Sequence, residues 1–384
     1  MKNIYLLGAT GSIGDQTIEV IEEFPKDFNL IAISGYTNIE KVIEIASRFS
    51  LELICVKDEK DASILENVFP GVKIVYGNSG LVELATFNRQ DEDSVLINAL
   101  VGMVGLEPTI EAIKINRDIL LANKETLVVG GHLIKKLLEI HKTKLYPIDS
   151  EHSAIWQVLQ GEKAESIKQL IITASGGPFR DLPRKDLDKV TLKAALNHPN
   201  WSMGKKITID SATMMNKGFE IIEAAYLFDM DISKIKPLIH RESIVHSMVE
   251  FTDNSIIAQL GSHDMRLPIS YAMFYPNRVK SIANSLDFAT LSKLSFKEVD
   301  FARYPLLALA IECFTLGGSK RTVLNAANEA AVSLFLEEKI SFLDIESIVI
   351  EAVRDHITIP SPSLEEIYKI DSLVKQKIFT KYTK

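Results

Sequence analysis

Short apolar runs alternate with amphipathic stretches in the N-terminal part of the chain. The runs typical of buried strands are residues 3–7, 30–34, 53–56, 73–76, 94–99 and 118–122. Between them apolar residues recur every three or four positions, which predicts helices, for example over residues 40–49 and 59–68. Strands that alternate with helices indicate an α/β fold with a Rossmann-like doubly wound parallel sheet, here over residues 1–148. Ligands of such sheets bind at the carboxyl ends of the strands.

The pattern becomes less regular after residue 143, and we predict a central α/β catalytic domain over residues 149–290. A strand over residues 144–148 leads into this domain. Its expected strands are residues 169–174 and 207–210, and its expected helices are residues 153–159, a helix from Ser211 onward and residues 267–273. Residues 232–240 are typical of a linker. Residues 244–251 and 256–260 predict an antiparallel strand pair, which could extend a sheet or pair across a dimer.

Beyond Asp300 the pattern is helical throughout. Helices are expected at residues 305–316, 322–338, 342–356 and 363–379. Ser363 and Glu366 form a capping box at the start of the last of them. Helices joined by short turns predict a C-terminal α-helical bundle over residues 300–384, in which we find no catalytic signature.

Composition narrows the possible classes of protein. A chain of 384 residues with 46% hydrophobic and 24% charged residues is a folded protein with more than one core. The net charge of -8 argues against a nucleic-acid partner. No apolar run approaches the roughly 20 residues of a membrane span, so we expect no membrane partner. Two distant cysteines exclude a disulfide framework and suit a cytoplasmic location.

A glycine-rich turn follows the first strand and precedes the first helix. Gly8, Gly11 and Gly14 are spaced as G-x-x-G-x-x-G, a variant of the dinucleotide-binding fingerprint, which predicts nucleotide binding. The second strand ends near Thr37 and Asn38, where NAD enzymes usually carry an acid for the ribose hydroxyl. No acid stands there and Lys41 is close by, so the sequence favours NADP.

Two polar segments carry the acidic residues of a candidate metal site. Asp149 and Glu151 flank Ser150 where a strand pattern gives way to a helix pattern, and Glu220 follows Lys217 in a later segment. Carboxylate oxygens beside hydroxyls and a lysine suit a hard divalent cation and a phosphorylated substrate. The alternative is that the first two acids only favour a helix start.

Three further segments have a functional and a purely structural interpretation. Lys124 and Glu125 follow a strand, where they could line the ligand site or form a surface ion pair. The turn at Ser175 exposes backbone donors and a hydroxyl, and could bind an anion or be only a turn. Residues 197–206 carry large apolar side chains on a polar loop, which favours a lid over the substrate, although the loop could simply pack on its own domain.

The motifs together resemble those of the 1-deoxy-D-xylulose 5-phosphate reductoisomerase family, in the same order and from end to end. They are residues 8–14, 121–125, 147–152, 173–179, 197–204, 210–220 and 325–329. The resemblance implies a homodimeric enzyme of the methylerythritol phosphate pathway of isoprenoid biosynthesis. It would convert 1-deoxy-D-xylulose 5-phosphate and NADPH into 2-C-methyl-D-erythritol 4-phosphate with Mg²⁺, Mn²⁺ or Co²⁺. Retro-aldol cleavage, re-addition and hydride transfer would follow one another.

The resemblance also implies roles for individual residues. The metal ligands would be Asp149, Glu151 and Glu220, and Lys124 would be a further catalytic residue. The candidates for carrying a proton are Lys124 and a metal-bound water. The substrate would contact Lys124, Ser150, Glu151, Ser175, His198, Ser211, Asn216, Lys217 and Glu220, under the lid residues Trp201 and Met203. NADPH would contact Thr10, Gly11, Ser12, Ile13, Gly35, Thr37, Asn38, Asn123, Glu125 and Gly204.

The chain departs from the family pattern at one place. A glycine and a basic residue usually precede the asparagine aligned with Asn38, whereas Tyr36 and Thr37 stand here, and Gly35 is the candidate for the displaced glycine. The departure bears on the preference for NADPH over NADH.

Two other classes of protein remain as alternatives. An enzyme like aspartate-semialdehyde dehydrogenase would need a nucleophilic cysteine in the second domain, and Cys55 and Cys313 lie outside it. A non-enzymatic NADP sensor would not need converging acids, a lysine and a lid.

Overall fold

The computed structural model describes residues 1–90 and 93–383, which divide into two compact units. Unit 1 comprises Met1–Thr126, Leu133–Asp149 and Asp264–Asn284. Unit 2 comprises Leu127–His132, Ser150–His263 and the chain from Ser285 onward. Both units contain a sheet with helices, which confirms the α/β fold class.

Unit 1 is built on a parallel sheet. Its strands are β1 (Lys2–Leu7), β2 (Phe28–Ser34), β3 (Leu53–Val56), β4 (Lys73–Tyr76), β5 (Ser94–Asn98), β6 (Asp118–Leu121) and β7 (Leu145–Pro147). The order is β4-β3-β2-β1-β5-β6-β7, and every neighbouring pair is parallel. Chain progression reverses between β1 and β5, so the carboxyl ends of these two strands form the topological switch point where dinucleotides bind. The predicted Rossmann-like sheet is confirmed.

Helices pack against this sheet. They are α1 (Ser12–Glu23), α2 (Ile39–Ala46), α3 (Glu59–Val68), α4 (Gly77–Thr86), α5 (Leu106–Lys114), α6 (Lys124–Ile140), whose middle belongs to unit 2, and α11 (Arg266–Phe274). The ring of Phe274 lies edge-on to Phe24 and Phe28, with centroids 4.8 and 4.7 Å away. This aromatic contact fixes the late helix α11 to the start of the chain.

Unit 2 contains a mixed sheet. Its strands are β8 (Ile167–Ala174), β9 (Ile235–Ile239), β10 (Val245–Phe251), β11 (Ile256–Leu260) and β12 (Lys297–Glu298), in the order β11-β10-β8-β9-β12. The antiparallel pair β10 and β11 confirms the expected strand pair. The linker expected at residues 232–240 is wrong, because β9 occupies most of it and pairs in parallel with β8. Leu170, Val249 and Ile221 are fully buried in the core on this sheet.

The helices of unit 2 agree with the sequence-based prediction in the C-terminal region but not at residues 207–210. They are α7 (Ser150–Val158), α8 (Leu192–Ala195), α9 (Lys205–Ala212), α10 (Met215–Leu227), α12 (Pro305–Leu316), α13 (Lys320–Leu336), α14 (Phe342–Asp355) and α15 (Leu364–Tyr382). The C-terminal helices are confirmed, and Ser363 and Glu366 form the expected capping box. The strand expected at residues 207–210 is wrong, since these residues lie in α9. The ion pair between Lys206 and Asp210 supports this helix at i,i+4 spacing.

Short 3₁₀ turns complete the description at Met103–Gly105, Ala164–Ser166, Arg184–Lys189 and Ile232–Lys234. Among the helices of residues 1–90 and 93–383, none combines the length and apolarity that crossing a bilayer requires.

Candidate active site

The glycine turn after β1 brings the backbone close to neighbouring elements. Gly8 has a φ of +84°, and a Cβ there would lie 2.6 Å from the carbonyl oxygen of Ala99, just after β5. A Cβ at Gly14 would lie 2.3 Å from the carbonyl oxygen of Gly8. Gly11 precedes α1, and within the described residues no side chain caps this helix start. The first backbone N–H groups of α1 can therefore bind an anion such as a pyrophosphate.

The end of β2 lies where a dinucleotide fold meets the adenosine ribose. Asn38 caps α2 by accepting a hydrogen bond from the backbone N–H of Lys41 at 3.0 Å, and the Lys41 ammonium pairs with Asp15. A second cation stands here, because Lys57 Nζ lies 5.4 Å from the centre of the Tyr36 ring. Lys57 directly follows β3, the neighbour of β2. Sequence reasoning missed it, although the order of strands was the available signal.

Asn123 organises the carboxyl ends of β5 and β6. Its side-chain amide donates to the carbonyl oxygens of Leu100 and Gly102, both at 2.9 Å, and its oxygen caps α6. Glu125 lies 3.3 Å from the same amide nitrogen. Asn98, a buried residue at the end of β5 that the sequence did not single out, donates to the 3₁₀ turn that follows. These amides hold the loop beside the glycine turn.

Lys124 and Asp149 form an ion pair within unit 1. The Lys124 Nζ to Asp149 Oδ2 distance is 2.5 Å, and the two side chains are 8% and 16% exposed. An ion pair this well buried is not the exposed surface pair considered as the alternative. Lys124 begins α6 and Asp149 directly precedes α7. The pair therefore links two of the segments that the sequence singled out.

In unit 2, Glu151 and Glu220 converge on one ammonium group. Lys217 Nζ donates to Glu151 Oε1 at 2.8 Å and also pairs with the Glu220 carboxylate. Burial alone would lower the pKa of Lys217, but the two carboxylates outweigh it and raise the pKa. Asn216 Nδ2 donates to Glu220 Oε1 at 2.5 Å, and Ser150 Oγ donates to Glu151 Oε2 at 2.6 Å. Carboxylates from α7 and α10 thus face one cationic group, as oxygen ligands of a hard divalent cation must.

A buried histidine joins the two helices that carry these carboxylates. His152 Nε2 lies 2.8 Å from the carbonyl oxygen of Glu220, and its Nδ1 lies 3.2 Å from Glu223 Oε2. Both side chains are fully buried. The sequence analysis did not assign a role to either residue, and their adjacency to Glu151 and spacing from Glu220 were the available signals.

Ser175 and His198 meet at a turn after β8. His198 Nδ1 accepts hydrogen bonds from backbone N–H groups, including that of Trp201 at 3.0 Å, so the ring proton lies on Nε2. Nε2 donates to Ser175 Oγ at 2.9 Å. Burial, with the charge of Arg180 as a lesser cause, lowers the pKa of His198 to about 4. His198 is therefore a neutral donor at pH 7.

The turn at Ser175 lies directly against the end of α9. Gly177 has a φ of +71°, and a Cβ there would lie 2.5 Å from the carbonyl oxygen of Ser211. Gly177 also donates its N–H to Ser175 Oγ at 3.1 Å. Ser175, His198 and Ser211, all expected to contact the substrate, are thus carried by neighbouring segments. Asn216 lies in the first turn of α10.

The loop before α9 is held by side chains of unit 2. Asn200 Nδ2 donates to the carbonyl oxygen of Arg241 at 2.6 Å. The Trp201 ring lies edge-on to His263, with centroids 5.3 Å apart, and 6.0 Å from His246. Met203 is half-buried and Gly204 caps α9. The loop is packed in the structure, and it also carries His198, so the packing and lid interpretations are compatible.

Comparison with known proteins identifies the family. A family model described as 1-deoxy-D-xylulose 5-phosphate reductoisomerase matches residues 4–131, and models of its C-terminal domains match residues 145–228 and 260–377. The reductoisomerase of Macrococcus caseolyticus is 49% identical over 98% of this chain and 99% of its own length. The chain belongs to the 1-deoxy-D-xylulose 5-phosphate reductoisomerase family. The homologue from Thermoanaerobacter sp. strain X514 is 48% identical over the full length of both chains.

Solved structures of the reductoisomerase family share the fold. One reductoisomerase in complex with NADPH, fosmidomycin and magnesium aligns with a TM-score of 0.94 and 38% identity, covering 100% of this chain and 98% of that one. The Zymomonas mobilis reductoisomerase in complex with NADPH aligns with a TM-score of 0.91 and 38% identity, covering 99% of each chain. The sequence-based expectation of family and fold class is confirmed.

Proposed function

We propose that this chain catalyses the reductoisomerase reaction with a divalent cation held by Asp149, Glu151 and Glu220. The overall reaction, the NADPH-linked conversion of 1-deoxy-D-xylulose 5-phosphate to 2-C-methyl-D-erythritol 4-phosphate, is that of its family. The observation that carries the residue assignment is the convergence of Glu151 and Glu220 on the Lys217 ammonium. Carboxylates grouped around one positive charge suit a divalent cation, and Mg²⁺, Mn²⁺ and Co²⁺ all accept such ligands.

When bound, the cation would supply Lewis acidity to the sugar phosphate, and NADPH would supply the hydride. The chain's own residues position these groups. Lys124, which pairs with Asp149 at 2.5 Å, is the candidate to carry a proton to or from a substrate hydroxyl. Ser150, hydrogen-bonded to Glu151, orients that carboxylate and faces the substrate.

The substrate phosphate is bound by Ser175, His198, Ser211, Asn216 and Lys217. His198 donates through Nε2 and stays neutral, so it contributes a hydrogen bond and no charge. Lys217 contributes the charge. A firm hold on the phosphate is remote binding energy that can be used to orient the reacting carbons. It also keeps both fragments of a cleaved sugar in the site.

Trp201 and Met203 form the lid over the substrate. Both lie in the loop that carries His198, so a ligand that binds His198 is coupled to the position of the lid. Closure would exclude water from the reacting carbonyl and prevent escape of the fragments.

NADPH is bound at the carboxyl ends of the strands of unit 1. The residues that contact it are Thr10, Gly11, Ser12, Ile13, Gly35, Thr37, Asn38, Asn123 and Glu125, with Gly204 at the start of α9. The 2′-phosphate is recognised by Thr37 and by Lys57, whose ammonium lies beside Tyr36 at this tip. Lys57 replaces the basic residue that the family usually carries just before Asn38.

The partner of this chain is a second copy of itself. In unit 2, β11 lies at the edge of the sheet, with Ile256 53% and Ile257 45% exposed. An exposed apolar edge strand is a surface on which another chain can pair. A cytoplasmic location is consistent with Cys55 and Cys313, which are free thiols. The division into three domains, at residues 1–148, 149–290 and 300–384, stays a prediction.

The alternatives are weakened by the same contacts. Burial raises the pKa of Cys55 and of Cys313 to about 12, so neither thiol is the activated nucleophile of a semialdehyde dehydrogenase. A non-enzymatic NADP sensor has no use for the grouped carboxylates and lysine.

The test is the loss of NADPH absorbance with 1-deoxy-D-xylulose 5-phosphate, with and without EDTA. We expect turnover that EDTA abolishes and that added Mg²⁺ or Mn²⁺ restores. No turnover with either metal would reject the enzyme, and turnover unaffected by EDTA would reject the metal site.

A further inference from the structure

The C-terminal motif at residues 325–329 has no part in the site described so far, yet it contacts a segment of that site. Asn328 lies on α13, is fully buried and donates from Nδ2 to Asp210 Oδ1 at 2.8 Å. Asp210 lies on α9, is 2% exposed, and its other oxygen pairs with Lys206 Nζ at 2.8 Å. A carboxylate this deeply buried depends on these partners, because an unpaired buried charge is strongly unfavourable.

Helix α9 is short and joins two functional segments. It begins directly after Gly204, so the last two residues of the predicted lid segment 197–206 lie in this helix, and it carries Ser211 next to Asp210. The turn at Ser175 packs against the same end of the helix through Gly177. The position of Asp210 therefore sets the position of the phosphate-binding segment and the anchor of the lid.

Helix α13 is fixed to α15 by a second set of contacts. Asn325 Nδ2 donates to Glu329 Oε1 at 3.0 Å, and Glu329 pairs with Lys375 at 2.6 Å. Lys375 also pairs with Asp371, at 2.9 Å. These contacts with α15 therefore fix the position and orientation of the helix that carries Asn328.

We propose that Asp210 and Asn328 are positioning residues that couple the C-terminal bundle to the phosphate-binding helix α9. The bundle fixes α9 in the position from which Ser211 and the lid can contact the sugar phosphate. Neither residue touches the substrate. A displacement of about 1 Å is enough to reduce catalysis strongly when the displaced group orients the reactant. This inference rests on the proposed phosphate site.

The test compares two buried asparagines on the same helix. Asn328→Leu removes the contact with α9, whereas the control Asn325→Leu removes a contact within the bundle. We expect Asn328→Leu to weaken binding of the sugar phosphate and of inorganic phosphate, measured by calorimetry, about tenfold. Binding of NADPH, followed by its fluorescence, should change less than about twofold, since its affinity comes mainly from unit 1. The control should lose similar thermal stability but keep both phosphate affinities.

A reciprocal exchange tests the geometry of the contact. Asp210→Asn combined with Asn328→Asp keeps an amide facing a carboxylate, so it should restore phosphate binding to within about threefold, whereas each single change should not. If Asn328→Leu does not fold, Asn328→Ser is the second variant. Its shorter side chain loses the hydrogen bond to Asp210 but stays polar, so it disturbs the packing less. Equal losses of phosphate affinity in the Asn325 and Asn328 variants, or a folded exchange variant without rescue, would overturn the proposal. Phosphate binding needs no turnover, so it tests the coupling even if the reaction proposed above is wrong.

Discussion

Lys217 has two roles that the structure and the proposed reaction assign to the same ammonium. It balances the charges of Glu151 and Glu220, and it is also the cation expected to bind the substrate phosphate. In the proposed site, a divalent cation bound by these carboxylates would take over the charge balance and leave Lys217 for the phosphate. The two carboxylates raise the pKa of Lys217, which keeps it charged in the first of these roles.

The first prediction concerns the contribution of Glu220 to metal binding. Glu220→Gln keeps the size of the side chain and removes a charged ligand, so we expect the affinity for Mn²⁺ and the kcat to fall at least about tenfold. NADPH affinity should stay nearly unchanged. The measurement is the dependence of rate on metal concentration, with Mn²⁺ binding followed by electron paramagnetic resonance. Glu337→Gln, at an exposed site, is the control. Wild-type metal dependence in the Glu220 variant would mean that this ligand is misplaced.

The second prediction concerns cofactor choice. Lys57→Ala removes the cation beside Tyr36, and we expect the Kd for NADPH to rise roughly three- to tenfold while that for NADH stays the same, because only NADPH carries the 2′-phosphate. In the wild type, kcat/KM should favour NADPH.

Lys60→Ala is the matched control, since Lys60 is exposed on α3 a few residues away. Equal kcat/KM values for the two cofactors in the wild type would reject the NADP assignment of this tip. A parallel loss for NADH in the Lys57 variant would reject the role of Lys57.

At the scale of elements, the sequence predicted the strands of unit 1 and the C-terminal helices. Both predictions succeeded because the spacing of apolar residues shows which side chains of a strand or helix are buried. It failed at α9, where Ile207, Thr208 and Ile209 have β-branched side chains that favour a strand. The helix there is stabilised by the Lys206 to Asp210 pair and by the contact with Asn328, and the latter is not visible in a local pattern.

The prediction also failed at β9, because Pro237 usually argues against a strand. β12 pairs only with Leu238 and Ile239, so Pro237 lies outside that ladder. In the candidate site, residue types and spacing predicted the acidic residues. Lys57 and His152 were missed because their contacts are with residues of a neighbouring strand or helix.

The third prediction concerns the turn at Gly177 and its contact with α9. Gly177→Ala places a methyl group against Ser211, in addition to the cost of a left-handed residue. We expect kcat/KM for the sugar phosphate to fall at least about tenfold, through a KM that rises more than kcat falls.

Gly161→Ala is the matched control, because Gly161 has a φ of +85° and, within the described part of the chain, no atom within 4 Å of an added Cβ. It should cost about 1 kcal/mol of stability, measured by denaturant unfolding, and leave kinetics unchanged. Equal activity in the two variants would show that the turn does not position the phosphate-binding segment.

At the scale of the whole molecule, the two units divide the work of the reaction. Unit 1 carries the glycine turn and the end of β2, both proposed to bind NADPH, and the Lys124 to Asp149 pair. Unit 2 carries the grouped carboxylates, the segments proposed to bind the phosphate and the proposed lid, and Asn328 of the bundle contacts α9. The sheet edge formed by β11 is the surface proposed for dimer formation.

The last prediction concerns that edge. We expect the protein to be a dimer by light scattering after size-exclusion chromatography, and Ile257→Lys to shift it towards the monomer. A lysine on an exposed edge strand opposes pairing with another chain because its charge would have to be buried. Ile357→Lys is the control, since Ile357 is 88% exposed elsewhere in unit 2. A monomeric wild type would contradict the homodimer, and an unaltered dimer in the Ile257 variant would place its interface away from β11.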